Sequence, residues 1–519
     1  MPNFKPHDPS QNALVAINFE DQIHPRTFEY TLHHLIETHI DLSAFYDHYK
    51  NDHGGRYAYD PAIMLKIILF AYSKGIISSR GIQWQCEHNI IFKALSCDSV
   101  PHHTRIAAFV SSFPEAIESV FEQVLLVCDQ QGLLGNQLFA IDGCKMPSNA
   151  SKEHSGTFAE LKRKRNKIRK RIQHCLKEHQ KLDGRRTDER DQKLRLNKEA
   201  DTLKKHFQKI DHFLNTSEPR RGQSKRGKEV KSNITDNESA KMTTSKGTIQ
   251  GYNGVAAVDK KHQIVIDAQA FGSGQEHHAL TPVLESITER YRRLAFSEDI
   301  LRNEQVVVTA DTGYSNHENN AYLKSEEINA YIPDNQFRAR DPKFKNQKKT
   351  HGKRHQETVK GVKQVIPASE FKFDRKRKRC VCPAGKEMWL RGEYGQGSGR
   401  VQLYFEGRLT DCRRCGLKQD CMRNPESADT REGHGRQVSK TFSTHADATE
   451  WMKRRVDSKL GKSIYSHRMS VVEPVFGNIG TNKRLNRFPL RGKRKVQGQW
   501  QLYCMVHNIE KIMNYGAIG

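Results

Sequence analysis

Two short apolar segments that each run directly into an aspartate place the strongest constraint on how this chain folds. VVVTAD at 306–311 ends at Asp311, and QLFAID at 137–142 ends at Asp142. Branched and aromatic apolar residues of this kind favour strands. An aspartate after a strand can form a turn by accepting a hydrogen bond from its own backbone. Alternatively, the sheet holds the carboxylate as a metal ligand, and either segment alone leaves both interpretations open.

The chain is long and strongly basic. Its 519 residues are too many for one hydrophobic core, so we expect about two to four domains. The formal net charge of +26 indicates a polyanionic partner, with nucleic acid as the first candidate and an anionic membrane as the second. No apolar run approaches a membrane span, and the longest, AIMLKIILFAY, contains Lys66. We therefore expect a nucleic-acid partner and no membrane.

The start of the sequence and the cysteines predict an intracellular, cytoplasmic protein. MPNFKPHDPSQN has no apolar stretch behind its charges, so it does not resemble a secretory signal. In a reducing compartment the eleven cysteines are thiols or metal ligands rather than disulfides.

The pattern of apolar and charged residues predicts an α/β fold in several parts. Helical spacing predicts an N-terminal helical domain, whose helices either pack a core or bind DNA. A core in two pieces follows, and a basic helical hairpin and loop interrupt it. The expected bounds are 1–130 for the N-terminal domain, 131–152 and 247–334 for the core, 153–246 for the hairpin and loop, 335–445 for a β-rich insertion with cysteines, and 446–519 for the last core helices.

Residues 153–214 predict a helical hairpin with a basic outer face. Apolar residues recur at coiled-coil spacing in two runs around the polar turn DGRRTDER. A charge run such as LKRKRNKIRKR is commonly a solvated face, but in a chain of this charge we favour contact with DNA phosphates. The DNA-binding candidates here are Lys162, Arg163, Lys164 and Arg165. A basic loop is expected at 215–246.

The core segments predict a mixed sheet of about five strands flanked by helices. QLFAIDGCKMP is a strand that we expect to end at Asp142. Alternating residues in GYNGVAAVDKKHQIVIDAQAF predict a β-hairpin around DKKH. An amphipathic helix at HHALTPVLESITERYRRLAF then leads to the strand that ends at Asp311.

Carboxylates at strand ends suit two-metal phosphoryl transfer, which needs acids from different elements around two cations. Asp142 and Asp311 fit the strand positions, and a third acid usually comes from a helix packed on the sheet. Glu473 in YSHRMSVVEPVFGNIGTNKRLNRF stands among apolar residues, with Arg468 and Lys483 nearby. Each acid alone is more often a turn or surface residue. For the three acids together, in a chain of this charge, a role as metal ligands is about as well supported as a role as turn or surface residues.

Four motifs resemble the DDE transposases of bacterial insertion sequences. In chain order they are IDGCKMPSNAS, GYNGVAAVD, VVVTADTGYSN and YSHRMSVVEPVFGNIG. The N-terminal helices and RFPLRGKRKVQGQWQLYCMVHNIEKI are also similar to that family, so the resemblance covers most of the chain. It implies a ribonuclease H-like core in which Asp142, Asp311 and Glu473 are catalytic and hold two Mg²⁺ (or Mn²⁺).

The resemblance also implies the reaction and the partners. A water activated by one metal cuts DNA at the inverted-repeat end of the element and frees a 3′ hydroxyl, which then attacks target DNA. No covalent enzyme intermediate is needed. Two DNA ends are joined, so a homodimer is expected in the DNA complex, and the bacterial protein would lie at the nucleoid when bound to DNA.

The sequence departs from the family signature around the third acid. Tyr465, Arg468 and Glu473 fill the Tyr, Arg and Glu positions, but the spacing from Arg to Glu is one residue longer than in the commonest form. Gly480 stands where a Lys is usual, so Lys483 or Arg484 would take over contact with the terminal phosphate. Pro474 follows the Glu directly, so we expect the helix to kink or begin there.

Cysteines in the β-rich insertion predict either a structural zinc site or a set of reduced thiols. CRRCGLKQDC contains one pair at the two-residue spacing of a zinc knuckle, and CVCPAGKEM supplies a further candidate in a turn. A strong zinc signature has two such tight pairs, and this sequence has one, so both interpretations stay open. The possible zinc ligands are Cys382, Cys412, Cys415 and Cys421.

Two other functions compete with transposition. One is a catalytically inactive relic that binds DNA, although all three acids are present. The other is a ribonuclease H-like nuclease that cuts DNA without joining it. Short inverted repeats in the DNA that flanks the coding region would favour a mobile element over both.

Overall fold

The described part of the chain is mixed α and β. A computed structural model describes residues 16–49, 51, 54, 57–182, 190–222, 227–245, 247–344, 365–374, 377–396, 400–443 and 446–517. The predicted turn DGRRTDER lies almost wholly outside these residues. Within the described ranges no helix is long and apolar enough to cross a membrane.

A mixed sheet forms the centre of the molecule. Among the described residues it has six strands in the order β4-β5-β1-β7-β8, with β6 also paired to β5. Strand β1 is antiparallel to β5 and parallel to β7. The strands are β1 (Leu138–Pro147), β4 (Ala240–Thr244), β5 (Gly247–Asp259), β6 (Val265–Phe271), β7 (Val307–Ala310) and β8 (Ala330–Tyr331). The predicted α/β fold with a mixed sheet and helices is confirmed, and it is consistent with a ribonuclease H-like transposase.

The N-terminal region is helical up to the first strand. Its helices begin at residues suited to that position: Asp60 accepts a hydrogen bond from the amide of Ala62 ahead of Pro61, and Ser78 accepts one from the amide of Gly81. The helices are α1 (Phe28–Thr38), α2 (Ser43–Tyr46), α3 (Pro61–Ser73), α4 (Ser79–His88), α5 (Ile90–Ser96), α6 (His103–Ser112) and α7 (Pro114–Gln130).

The C-terminal helix joins the N-terminal helices to the sheet. It is buried along most of its length, and one hydrophobic cluster runs from Phe28 through the sheet to Ile512 on this helix. Trp500 donates to the carbonyl of Val255 at 2.9 Å, and Asn508 bonds both backbone groups of Val265. The other helices on the core are α10 (Leu280–Arg293), α11 (His317–Ser325), α12 (Phe337–Arg340), α16 (Ala446–Asp457), α17 (Lys459–Gly477) and the C-terminal helix α18 (Lys493–Tyr515).

A helical hairpin stands between β1 and β4, as its coiled-coil spacing predicts. Helices α8 (Phe158–Leu182) and α9 (Arg190–Thr216) pack on each other through a hydrophobic cluster separate from the main one. The short strands β2 (Ser155–Gly156) and β3 (Ser232–Asn233) pair at its base.

The β-rich part has its own small core. Its strands form a second sheet in the order β13-β12-β11-β10-β9, five strands within the described residues. Phe371, Cys380 and Phe405 contribute to its hydrophobic cluster. The elements are β9 (Lys372–Asp374), β10 (Arg379–Val381), β11 (Glu387–Gln396), β12 (Arg400–Arg408), α13 (Leu409–Arg413), α14 (Lys418–Cys421), α15 (Ser427–Thr430) and β13 (His434–Ser443).

Two details differ from the sequence prediction. Part of the expected basic loop at 215–246 forms β4, because residues 240–244 pair with the first residues of β5 and extend the sheet. Asp142 lies inside β1 and does not end it, because the residues after it, up to Pro147, continue to pair with β5.

A buried histidine near the C-terminus predicts sensitivity of the fold to acid. Burial, together with the charges of Lys511 and Lys483, lowers the pKa of His507 to about 3, against a hydrogen bond with the carbonyl of Gln263. Below the ordinary pKa of about 6.5 the unfolded chain binds this proton and the folded chain does not, so stability is lost as the pH falls. At pH 5 the loss is about 2 kcal/mol from this residue.

We therefore expect His507→Gln to be less sensitive to acid than the wild type. The gap between their free energies of unfolding should shift by about 2 kcal/mol in favour of the variant between pH 7 and pH 5. Urea unfolding at both pH values measures it, with the exposed His467 changed to Gln as the control. An equal shift in both variants would contradict the assignment to His507.

Candidate active site

The two aspartates identified from the sequence lie side by side on the central sheet. Strands β1 and β7 are parallel, and Ile141 is opposite Ala310. The next residues are Asp142 and Asp311, so the register places the two carboxylates next to each other where β7 ends beside β1.

Asp311 differs from a turn-forming aspartate in the same sheet. Asp259, at the end of β5, accepts hydrogen bonds from the backbone amides of Gly135, Asn136 and Lys261. Asp311 also precedes a turn, but its side chain accepts none of that turn's amide hydrogens within the described residues. Its contacts are with side chains from another helix, which favours a functional carboxylate over a turn former.

Helix α17 supplies a buried cation to this pair. Arg468 is 7% exposed; its Nη1 lies 2.7 Å from Asp142 Oδ2, and its Nη2 lies 3.7 Å from Asp311 Oδ1. One turn earlier on the helix, the Tyr465 hydroxyl donates to Asp311 Oδ1 at 3.3 Å. The spacing of three residues puts both side chains on one face of the helix. Arg468, which the sequence suggested as a DNA contact, therefore binds the two acids here.

Burial and charge act in opposite directions on Asp142. Burial raises the pKa of Asp142, while Arg468 and the amide of Gly143 lower it less than burial raises it. The negative charge of Asp311 also raises the pKa of Asp142. Two carboxylates that repel each other in a partly buried site provide the oxygens that a dication prefers, and binding of a cation would relieve this repulsion.

Polar groups beneath the aspartates lack partners within the described structure. Tyr314 and Asn253 are fully buried or nearly so, and neither the Tyr314 hydroxyl nor the Asn253 amide has a hydrogen-bond partner there. Both point at Gly143: a Cβ there would lie 2.8 Å from Asn253 Oδ1 and 3.1 Å from Tyr314 Oη. Orphaned polar atoms beside paired carboxylates fit a hydrated Mg²⁺, whose waters they could bind.

A fourth acid, Glu276, lies against the turn after Asp311 and was missed in the sequence. Its Oε1 binds Lys145 Nζ at 2.8 Å, three residues along β1 from Asp142. A Cβ on Gly313 would overlap its Oε2, so the glycine lets Glu276 pack on the turn after Asp311. Burial raises the pKa of the Tyr314 phenol, and Asp142, Glu276 and Asp311 add to this. Glu276 follows a Gly-rich loop without strand or helix periodicity, so no sequence pattern indicated it.

The third predicted acid is not brought to the pair in this structure. Glu473 is on α17 but is exposed, whereas Arg468 on the same helix is buried. Across the described residues, no three His, Cys, Asp or Glu side chains are arranged as a metal site. The helix does not begin at Pro474: it runs on to Gly477, and a π-helical turn follows at Asn478–Asn482.

The other residues predicted to contact DNA differ in how exposed they are. Lys483 is fully buried, its Nζ lies 2.6 Å from Glu510 Oε2, and burial lowers its pKa. The neighbouring Arg484 is exposed. On α8, Lys162 and Arg163 are exposed and Lys164 and Arg165 are half-buried, with Arg165 paired to Asp211 at 2.8 Å.

The four candidate zinc ligands line one small cavity of the β-rich part. They come from the turn between β10 and β11 and from the region of α13 and α14. Cys412 Sγ accepts a hydrogen bond from the amide of Arg436 at 3.4 Å. Burial raises the pKa of the Cys421 thiol, and the three neighbouring thiols raise it further. The lining cysteines are Cys382, Cys412, Cys415 and Cys421.

Comparison with known families gives two matches at opposite ends of the chain. Residues 381–513 match a family described as Transposase DDE domain. Residues 17–112 match a family described as Transposase domain (DUF772). No curated protein matches the chain. The first match contains Arg468 and Glu473, and the second contains helices α1 to α6. The two matches agree with the resemblance in the motifs and support a DDE transposase of an insertion sequence, and transposase families act on DNA.

Proposed function

We propose that this transposase cuts DNA at the ends of its own insertion sequence and joins the freed ends to target DNA. The observation that carries the proposal is the register of β1 and β7, which sets Asp142 beside Asp311. Both carboxylates contact Arg468 from a helix within the matched DDE domain.

Asp142 and Asp311 are proposed as ligands of two Mg²⁺ or Mn²⁺ ions. Bound there, the metals would supply Lewis-acid activation of the attacking oxygen and stabilise the leaving oxygen. The sheet would keep the two carboxylates at a fixed separation, and Tyr465 would orient Asp311 through its hydroxyl. Arg468 offsets one of the two negative charges in the structure described here, and it would have to share or release the carboxylates when cations bind.

Glu473 is proposed as the third ligand on the strength of the family motif. Because its side chain is exposed, α17 or the backbone around Pro474 would have to change for it to reach the aspartates. Proline removes one helix hydrogen bond, and a π-helical turn follows shortly after it, so this part of α17 is less tightly bonded than a regular helix. Glu276 is the alternative third acid, because it packs on the turn after Asp311 and its charge acts on Tyr314 together with those of Asp142 and Asp311.

The DNA complex is proposed to be a homodimer, since strand transfer joins two ends at one target. The net charge of +26 supports long-range attraction to DNA, and the exposed basic residues of α8 and Arg484 would contact phosphates. These interactions should weaken steeply with salt.

Incubation of the full-length protein with the DNA that flanks its gene tests the proposal. In Mg²⁺ or Mn²⁺ we expect cuts at a defined end with 3′ hydroxyl products, followed by longer joined products with an added target plasmid. Defined cuts without joined products would show a nuclease rather than a transposase. Binding without cuts in either metal would show an inactive relic.

A structural Zn²⁺ is proposed for the cavity lined by four cysteines. Four thiols from three nearby segments match the ligand set of closed zinc sites. The thiols are not arranged at metal-binding positions in the described structure, so they would have to turn towards one another. The surrounding sheet has a small hydrophobic cluster, and small cores often depend on such a metal.

We expect the purified protein to contain about one zinc per chain, as closed four-thiolate sites do. Cys412→Ser with Cys415→Ser should lose the zinc and unfold at a lower temperature. Cys97→Ser is the matched control, because Cys97 is an exposed free thiol in the N-terminal helical region. Elemental analysis and thermal unfolding measure both effects. Equal zinc in the double variant and the wild type would rule out this site.

A further inference from the structure

A basic pocket lies where the central strand leaves the sheet. It has a volume of about 540 Å³, so it has room for a hydrated phosphodiester. The pocket is formed by the segment after β1, the base of the helical hairpin and the loop before α18. The lining residues that matter here are Ser148, Asn149, His154, Lys209, Arg487 and Arg491.

The basic side chains that line the pocket are Lys209, Arg487 and Arg491. Within the residues that the structure describes, no carboxylate forms an ion pair with Lys209, Arg487 or Arg491. By contrast, the nearby Arg494 is bound to Glu115. Burial lowers the pKa of His154, and the positive charges of His206, Lys164 and Lys209 lower it further, against a smaller opposite effect of Glu153. The pocket is thus a place where an anion would be stabilised.

The pocket is held in shape before any ligand binds. Arg491 donates from Nε to the carbonyl of Asn149 at 2.6 Å, and Phe488 donates its amide to the carbonyl of Pro147 at 2.8 Å. The loop that carries both arginines is therefore attached to the end of β1. Preorganised cations bind a phosphate at a lower entropic cost than mobile ones.

One buried polar atom in the wall of the pocket is consistent with a bound ligand. Ser148 is 5% exposed, and its hydroxyl has no hydrogen-bond partner within the described structure. Buried hydroxyls are nearly always satisfied, so an unpaired one in the wall of a basic pocket suggests a bound group or water. A phosphate oxygen would accept the hydrogen bond that Ser148 can donate.

The distance between the pocket and the aspartates can be estimated along β1. Ser148 is six residues after Asp142 along the same chain segment, so the two are about 20 Å apart at the usual rise of a strand. At about 3.4 Å per nucleotide of B-DNA, this distance corresponds to about six nucleotides.

We infer that this pocket binds one backbone phosphate of the DNA about six nucleotides from the phosphate that is cut. The inference rests on the proposed function for what lies at the aspartates, but the pocket itself can be tested by binding alone. Phosphate contacts fix the position of a protein along a duplex. A contact in this pocket would therefore set the distance between the bound phosphate and the cut.

The test measures binding of fluorescent duplex DNA from the gene's flank at several salt concentrations, without divalent metal. Arg487→Gln with Arg491→Gln should lower the slope of log affinity against log salt by about one unit for each phosphate lost. Lys324→Gln with Arg454→Gln removes the same formal charge from exposed positions on α11 and α16, and its slope should equal that of the wild type. Thermal unfolding checks that each variant is folded.

Ser148→Ala provides a second, gentler variant, because it removes only the unpaired hydroxyl. We expect it to weaken binding several-fold without a change in the salt slope, since its charge is unchanged. Duplexes with one neutral methylphosphonate identify the phosphate: substitution about six nucleotides from the cut should weaken the wild type but not the double arginine variant.

Each outcome decides between explanations. Equal slopes for both double variants would show only a general charge effect and would overturn the pocket. Binding of inorganic phosphate at constant ionic strength, with unchanged DNA slopes, would show a free-anion site and would also overturn it. A changed slope in the arginine variant of a protein that never cuts DNA would support the pocket and reject the proposed function.

Discussion

Replacing Asp311 by asparagine is expected to reduce DNA cutting by about a thousandfold or more and to leave DNA binding intact. A carboxylate that binds a catalytic cation contributes several kcal/mol to stabilising the transition state, and about 1.4 kcal/mol corresponds to a tenfold change in rate. Asparagine keeps the size and one oxygen of the side chain but loses the charge. Arg468 would keep its bond of 2.7 Å to Asp142, so we expect the local fold to persist.

Binding and cutting should separate in this variant for an electrostatic reason. The chain carries a net charge of +26, and loss of one more negative charge can only increase its attraction to DNA. Gel shifts without divalent metal measure binding, and product gels with Mg²⁺ or Mn²⁺ measure cutting. Asp299→Asn is the matched control: it removes an aspartate before β7 whose carboxylate pairs with Arg302 at 3.3 Å. A variant at Asp311 that cuts at the wild-type rate would refute its role as a metal ligand.

The same assay distinguishes the two candidates for the third acid. If Glu473 is the ligand, Glu473→Gln should lose as much cutting as the Asp311 variant, and Glu276→Gln should lose less, because Glu276 only supports the turn after Asp311. The reverse order would show that Glu276 is the third ligand and that the family motif does not carry over at Glu473. Normal binding by both variants is needed to interpret either result.

Local patterns in the sequence were sufficient to find the aspartate pair and the hairpin. A run of β-branched residues that ends at Asp311 is a strand by local preference alone, and coiled-coil spacing from Leu161 to Leu214 defines two packed helices. The adjacency of Asp142 and Asp311 depends on the pairing of distant strands, so the family resemblance had to supply it.

The features that were missed depend on contacts between distant segments. Strand β4 forms from polar residues because β5 offers it an open edge, and β1 continues past Asp142 for the same reason. Lys483 looks like a surface lysine in the sequence, but Glu510 on α18 pairs with it in the interior. Glu276 approaches the aspartates only because Gly313 leaves room for it. None of these contacts has a local pattern.

Packing between distant segments also bears on the domain bounds predicted from the sequence. The N-terminal helices were expected as a separate domain, and their bounds stay a prediction. Their apolar side chains nevertheless share one hydrophobic cluster with the sheet and α18. A buried charge cluster lies at this junction, where Arg290 of α10 meets Asp267 of β6 and two glutamates of α7.

Replacing Arg290 by methionine is therefore expected to destabilise the fold by about 3–5 kcal/mol, because it leaves a buried carboxylate without its cation. Arg290 and Asp267 are each only 1% exposed in their side chains and are in direct contact. Burial by itself lowers the pKa of Arg290, but Asp267, Glu122 and Glu118 more than offset this and raise it. The neighbouring carboxylates thus keep Arg290 positively charged.

Arg293→Met is the matched control for this effect. Arg293 is on the same helix and pairs with the same two glutamates, Glu118 and Glu122, but its side chain is 47% exposed. An exposed ion pair contributes about 0–1 kcal/mol, so the control should remain close to the wild type. Urea unfolding measures both variants, and an unchanged slope against urea is needed to interpret the midpoint as a change in stability.

A second substitution tests whether the unpaired carboxylate causes the loss. Arg290→Met with Asp267→Asn removes both charges, so it should be less destabilised than Arg290→Met alone, although it has lost more ionic contacts. If the double variant is less stable than the single one, the main loss comes from packing of the arginine, which also lies over the Phe121 ring at 5.3 Å. Recovery in the double variant would show that α7, β6 and α10 are held together by neutralisation of a buried charge.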